Sequence, residues 1–130
     1  GLIPTGELAD VRGTALDFTA PRRLGERIQE TGLTPPGYDH NFVLNSGGGS
    51  LALAARVVEP TSGRTLEVLT DQPGVQLYTA NFFPADGIEC AGGVRFGPHG
   101  AFCLETQNFP DAVNQPRFPK SVWRPGETYD

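Results

Sequence analysis

Seventeen glycines and twelve prolines are scattered along 130 residues, and they leave little room for a long helix. Proline inside a helix removes a backbone donor and clashes with the preceding turn, and glycine forfeits backbone entropy there. These breakers fall between short apolar runs and do not gather into one low-complexity tract. Short apolar runs punctuated by turn residues predict an all-β chain of short antiparallel strands.

The order of the runs makes this concrete. Residues 1–20 read as loop with brief extended pieces. Pro21 to Glu30 carries Leu24 and Ile28 at helical spacing and predicts about two helical turns, weakened by Gly25. Thr34-Pro35-Pro36-Gly37 is a break, and strands are expected over Asp39–Leu44, Leu51–Glu59, Arg64–Thr70, Val75–Thr79 and Ala101–Thr106. The second and third flank Pro60-Thr61-Ser62-Gly63 and predict an antiparallel hairpin. Residues 83–100, with Pro84, Asp86-Gly87, Gly92-Gly93 and Gly97-Pro98, are expected to be loop. Arg124-Pro125-Gly126 is a turn signal, after which Thr128-Tyr129 reads as the start of a strand. A strand beginning where the sequence stops, with no initial Met, predicts a portion of a larger domain.

Bulk charge narrows the partners. The net charge of −5 disfavours nucleic acid, whose phosphates would be repelled. No apolar run reaches the length of a membrane span, and Gly1-Leu2-Ile3-Pro4 lacks the features of a signal peptide, so the expected setting is cytoplasmic. Cys90 and Cys103 match no zinc spacing, and Cys103, between Phe102 and Leu104, is expected to be a buried reduced thiol. Gly47-Gly48-Gly49 is followed by no Lys-Ser or Lys-Thr and reads as a mobile connection rather than a phosphate loop. Arg22, Arg23 and Arg27, offset by Glu26 and Glu30, read as a solvated face.

Three residues carry the candidate chemistry. Glu105 ends an apolar strand and opens a polar segment pinned by Pro110, Pro116 and Pro119. A carboxylate at a strand end beside a rigid loop is well placed as a general base, although surface carboxylates are the common case. Asp39 follows a Pro-Pro-Gly break and serves equally as a turn former or as an acceptor for hydroxyl groups. Gln76 alternates with Val75 and Leu77, facing either solvent or a site. His40 and His99 sit in contexts that favour structural or surface roles over proton transfer.

The run Leu104-Glu105-Thr106-Gln107-Asn108-Phe109-Pro110-Asp111-Ala112-Val113-Asn114-Gln115-Pro116-Arg117-Phe118-Pro119 resembles the C-terminal signature of the aldose 1-epimerase (galactose mutarotase) family. Ile3-Pro4-Thr5-Gly6-Glu7, Gly37-Tyr38-Asp39-His40-Asn41-Phe42, Gln72-Pro73-Gly74-Val75-Gln76-Leu77-Tyr78-Thr79 and Arg124-Pro125-Gly126-Glu127 agree with it in order. The resemblance implies an antiparallel β-sandwich of the mutarotase type, with residues 1–130 the C-terminal portion of a single domain. It implies interconversion of the α and β anomers of free aldoses such as galactose and glucose, without cofactor or metal. Glu105 matches the catalytic base, and Asp39 and Gln76 match substrate-binding positions. Neither His40 nor His99 matches the family's acid histidine, which the resemblance places upstream. The expected partners are therefore the free sugar and the upstream part of the same domain, and the chain alone is expected to be inactive.

Three rivals make different predictions. A glycosidase using Glu105 and Asp39 would release sugar from glycosides. A non-catalytic carbohydrate-binding sandwich would keep its affinity in Glu105→Gln. A sugar-phosphate enzyme would need basic residues in its cleft, against the acidic balance.

Overall fold

The computed structural model describes residues 3–129; Gly1, Leu2 and Asp130 lie outside the described residues, and with them part of the N-terminal reading and the last residue of the expected final strand. Seven strands are present: β1 (Asp39–Val43), β2 (Ala52–Val58), β3 (Thr65–Thr70), β4 (Gly74–Tyr78), β5 (Ile88–Glu89), β6 (Arg95–Phe96) and β7 (Cys103–Gln107). The helical content among the described residues is three short 3-10 turns, at Ile28–Glu30, Ala91–Gly93 and Ala112–Asn114. The all-β expectation holds.

Two details differ from the sequence reading. Pro21–Glu30 forms no α-helix; only Ile28–Glu30 winds, as a 3-10 turn. The Arg27 guanidinium donates to the Gly13 carbonyl at 2.9 Å and to Glu30 Oε2 at 2.9 and 2.7 Å. Those contacts hold the segment by side chains in place of a helical ladder that Gly25 weakens. Residues 83–100 are not wholly loop: Ile88–Glu89 and Arg95–Phe96 pair antiparallel. Arg95 stabilises this small ribbon by donating to the Asp86 and Gly87 carbonyls, each at 2.8 Å.

The predicted hairpin is β2–β3, antiparallel from Ala52↔Thr70 to Val58↔Thr65. Its register slips between Leu53 and Ala55, so Ala54 is an extra residue opposite no partner. A bulge of this kind shifts the alternation by one, and the half-buried positions change from Ala52 and Ala54 to Ala55 and Val57. Glu59 closes the connection: its carboxylate accepts from the Thr61 and Ser62 amides at 2.8 and 2.7 Å and from the Ser62 hydroxyl at 2.5 Å.

β1, β4 and β7 make a three-stranded sheet in that order. The Leu44 amide donates to the Pro73 carbonyl at 2.9 Å and the Thr79 amide to the Tyr38 carbonyl at 3.1 Å, so β1 and β4 run antiparallel. The chain divides into two compact units, one comprising residues up to Glu7, Asn41–Val75 and from Thr106 onward, the other Leu8–His40 and Gln76–Glu105.

The second unit is organised on Tyr38, whose side chain is fully buried. Its hydroxyl donates to the Ala15 carbonyl at 2.9 Å, and Phe18 meets its ring edge to face at 5.3 Å. The Thr79 hydroxyl accepts from the Tyr38 amide at 2.8 Å, and the Asn81 side-chain amide donates to the Tyr38 carbonyl at 2.9 Å. Gly37 is required beside this knot: its φ is +149°, and a Cβ there would strike the Asn81 side chain. In the first unit, Val75, Thr70 and Phe109 are buried, with Phe118 edge to face on Phe109 at 5.1 Å.

Candidate active site

Asp39, Gln76 and Glu105 all fall in the second unit, on β1, β4 and β7. Antiparallel pairing of β1 with β4 sets Asp39 opposite Tyr78, so Gln76 is its diagonal neighbour on the same face. The contact is made: Gln76 Nε2 donates to Asp39 Oδ1 at 2.7 Å. The other end of that amide is left over. Gln76 Oε1 is buried and has no hydrogen-bond partner.

An acceptor buried without a partner costs about 1–3 kcal/mol, and a site that receives a hydroxyl donor recovers that cost on binding. Asp39 and Gln76 thus make a paired acceptor and amide, with one acceptor oxygen of the amide unmet. A polyol supplies the missing donor. The opposite face of β4 is apolar, with Val75 and Leu77 buried, which forces Gln76 to the other side.

Glu105 is exposed, and among the described residues no side-chain hydrogen bond or ion pair engages it. Its face follows from β7 itself. Gln107 alternates onto the same side as Glu105, and its amide donates to Asn41 Oδ1 at 3.2 Å. Asn41 shares the Asp39 side of β1, so alternation turns Glu105 toward the face that carries Asp39 and Gln76. Asn41, Gln107 and Tyr78 are polar or aromatic side chains of that face that the sequence reading did not single out as site residues; their period-two spacing from Asp39, Glu105 and Gln76 was the available signal. Tyr78 stacks on Phe82 at 6.2 Å and 15°, and its hydroxyl accepts from the Phe82 amide at 3.2 Å.

The two histidines are used structurally. His40 Nδ1 accepts from the Asp39 amide at 3.1 Å, which leaves the ring proton on Nε2, and burial lowers its pKa against the opposing charge of Asp39. His99 is exposed, with a positive φ of 60°, and its Nδ1 lies 3.2 Å from the Thr79 carbonyl. Cys90 and Cys103 are free thiols; Cys103 is exposed, not buried as expected, because it shares the outward face of β7 with Glu105. Among the described residues, no three His, Cys, Asp or Glu side chains cluster as metal ligands would. No helix among the described residues is long and apolar enough to cross a membrane.

A sheet face with a carboxylate, an unmet amide oxygen and a second carboxylate on the next strand is the arrangement of a sugar-handling β protein. The aldose 1-epimerase family profile matches residues 1–130, and the chain belongs to that family. It is 54% identical over 130 residues to galactose mutarotase of Homo sapiens and 52% identical to that of Bos taurus, in each case covering 99% of this chain and 36% of the relative. It is 31% identical over 133 residues to aldose 1-epimerase of Escherichia coli, covering 99% of this chain and 38% of that protein. The chain therefore spans little more than a third of the length of these relatives.

Proposed function

We propose that this chain supplies the base side of an aldose 1-epimerase site that interconverts the α and β anomers of free aldohexoses such as galactose and glucose. The observation that carries the reading is the Asp39–Gln76 pair, whose amide donates to the carboxylate at 2.7 Å while its own oxygen stays buried and unmet. In this reading a sugar hydroxyl donates to Gln76 Oε1, and Asp39 accepts a second hydroxyl. Glu105 takes the proton from the anomeric hydroxyl as the ring oxygen receives one. The C1–O5 bond breaks, the aldehyde turns about C1–C2, and the ring closes on the opposite face with both protons returned. An anomeric hydroxyl is a weak acid, so the base must be held in place and its proton transfer coupled to donation at the ring oxygen.

The acid belongs, in this proposal, to a histidine outside residues 1–130. His40 supports that division, since its Nδ1 is occupied by the Asp39 amide. We take residues 1–130 as the C-terminal portion of a single aldose 1-epimerase domain, a β-sandwich of the mutarotase type whose upstream part is the chain's partner. The proposal carries a cytoplasmic location, which cell fractionation tests.

Polarimetry of freshly dissolved α-D-galactose tests the catalytic assignment. A protein of family length carrying these residues accelerates mutarotation, and Glu105→Gln in it abolishes the acceleration while sugar affinity stays within about threefold. The 130-residue chain alone leaves the spontaneous rate unchanged. Full activity in Glu105→Gln would remove Glu105 as the base, and sugar release from a glycoside would replace the mutarotase reading with a glycosidase.

A further inference from the structure

The triglycine segment does not behave as the loose connection its sequence suggested. The Gly47 amide donates to the Leu44 carbonyl at 3.0 Å and the Gly49 amide to the Asp71 carbonyl at 2.6 Å. Gly47, Gly48 and Gly49 all have positive φ, at 70°, 83° and 82°. A Cβ on Gly48 would stand 3.0 Å from the Asp71 carbonyl oxygen and 3.1 Å from the Pro73 nitrogen, so the backbones can approach this closely only without a side chain. The segment is held against Asp71–Pro73. With it, Asp71, Gln72, Asn108, Trp123 and Tyr129 enclose a hollow of about 280 Å³. All of these residues belong to the first unit, and Asp39, Gln76 and Glu105 do not.

The lining has the two components that recognise a pyranose ring. Trp123 and Tyr129 are exposed aromatics packed edge to face at 4.8 Å and 83°, which holds each ring in a defined plane. An indole face takes the C–H side of a sugar, being apolar with a negative quadrupole. Around it stand polar groups suited to hydroxyls. Asp71 Oδ1 accepts from the Gln72 amide at 3.1 Å, and among the described residues no hydrogen bond occupies Asp71 Oδ2 or the Asn108 amide. The lining contains no lysine or arginine, so an anionic ligand would meet only the Asp71 carboxylate. A few placed polar groups beside an aromatic surface fit a neutral, hydroxyl-rich ligand.

We propose that this hollow is a second saccharide-binding site, for a neutral pyranoside, built from residues other than those assigned to mutarotation. Stacking on Trp123 supplies most of the affinity, and Asp71 with Asn108 selects for hydroxyl positions. Nothing in the hollow acts as an acid–base pair on a sugar, so it binds without converting.

Trp123 is the sole tryptophan of the chain, so its emission reports on this hollow directly. The 130-residue chain is titrated with methyl β-D-galactopyranoside, whose blocked anomeric oxygen prevents mutarotation. A saturable emission change in the millimolar range is expected, weakened about tenfold in Asp71→Ala and in Asn108→Ala. Asp39→Asn and Glu105→Gln should leave the titration unchanged, and galactose 1-phosphate should bind more weakly than the glycoside. Asp71→Asn, with saturation-transfer NMR of the glycoside protons, replaces Asp71→Ala if that variant does not fold. The absence of any saturable change overturns the proposal. So does a change that survives both Asp71 variants and disappears in Asp39→Asn.

Discussion

Tyr38 bears most directly on stability at the scale of single residues. Its hydroxyl, amide and carbonyl all make buried hydrogen bonds, to the Ala15 carbonyl, the Thr79 hydroxyl and the Asn81 amide. Tyr38→Phe keeps the ring and leaves the Ala15 carbonyl without its donor. The expected cost is about 1–3 kcal/mol, seen as a lower urea midpoint at unchanged slope. Asp39, adjacent to it in sequence, was legible as either a turn former or a hydroxyl acceptor; its bond to Gln76 selects the second description. Gln76 could not be assigned from its own strand, because a lone polar residue between Val75 and Leu77 has two admissible environments. The side of β4 it takes depends on which face the rest of the chain buries.

Among elements, the β2–β3 hairpin was the most legible, since two β-prone runs flank a glycine-bearing turn. Its bulge at Ala54 was not legible. An Ala-Leu-Ala-Ala run offers no side chain that marks the extra residue. The turn is locked by Glu59, whose pKa is lowered to about 2, first by the Ser62 hydroxyl and then by the Thr61 and Ser62 amides. A depressed carboxylate stabilises the folded form above its ordinary value and loses that contribution as the pH falls through the folded one. The turn should therefore hold at pH above 4.5 and loosen progressively toward about pH 2. NMR titration of the Glu59 carboxyl carbon and amide exchange at Thr61 and Ser62 would show it, and Glu59→Gln should remove the pH dependence at those amides.

At the scale of the whole molecule, the balance of 15 acidic against 10 basic residues sets a negative potential that favours uncharged ligands. A hexose phosphate should bind several-fold more weakly than the free hexose at low salt, with the gap narrowing as salt screens the field. Competition titrations at two ionic strengths check this. Equal affinity at low salt would place a compensating cation in the site.

The distribution of glycine and proline was enough to determine the fold class, because breakers act on the backbone locally and need no partner. The ordered blocks from Ile3-Pro4-Thr5-Gly6-Glu7 to Arg124-Pro125-Gly126-Glu127 were likewise enough for the family, and the family profile matches over the same span. Tertiary structure alone decided what is done with side chains whose partners are remote in sequence. It joined Gln76 to Asp39 across 37 residues and left Gln76 Oε1 unmet. It turned Cys103 outward and pinned the triglycine segment to Asp71. Such outcomes depend on strand pairing and face choice, which arise from burial summed over the whole sheet and are carried by no single segment.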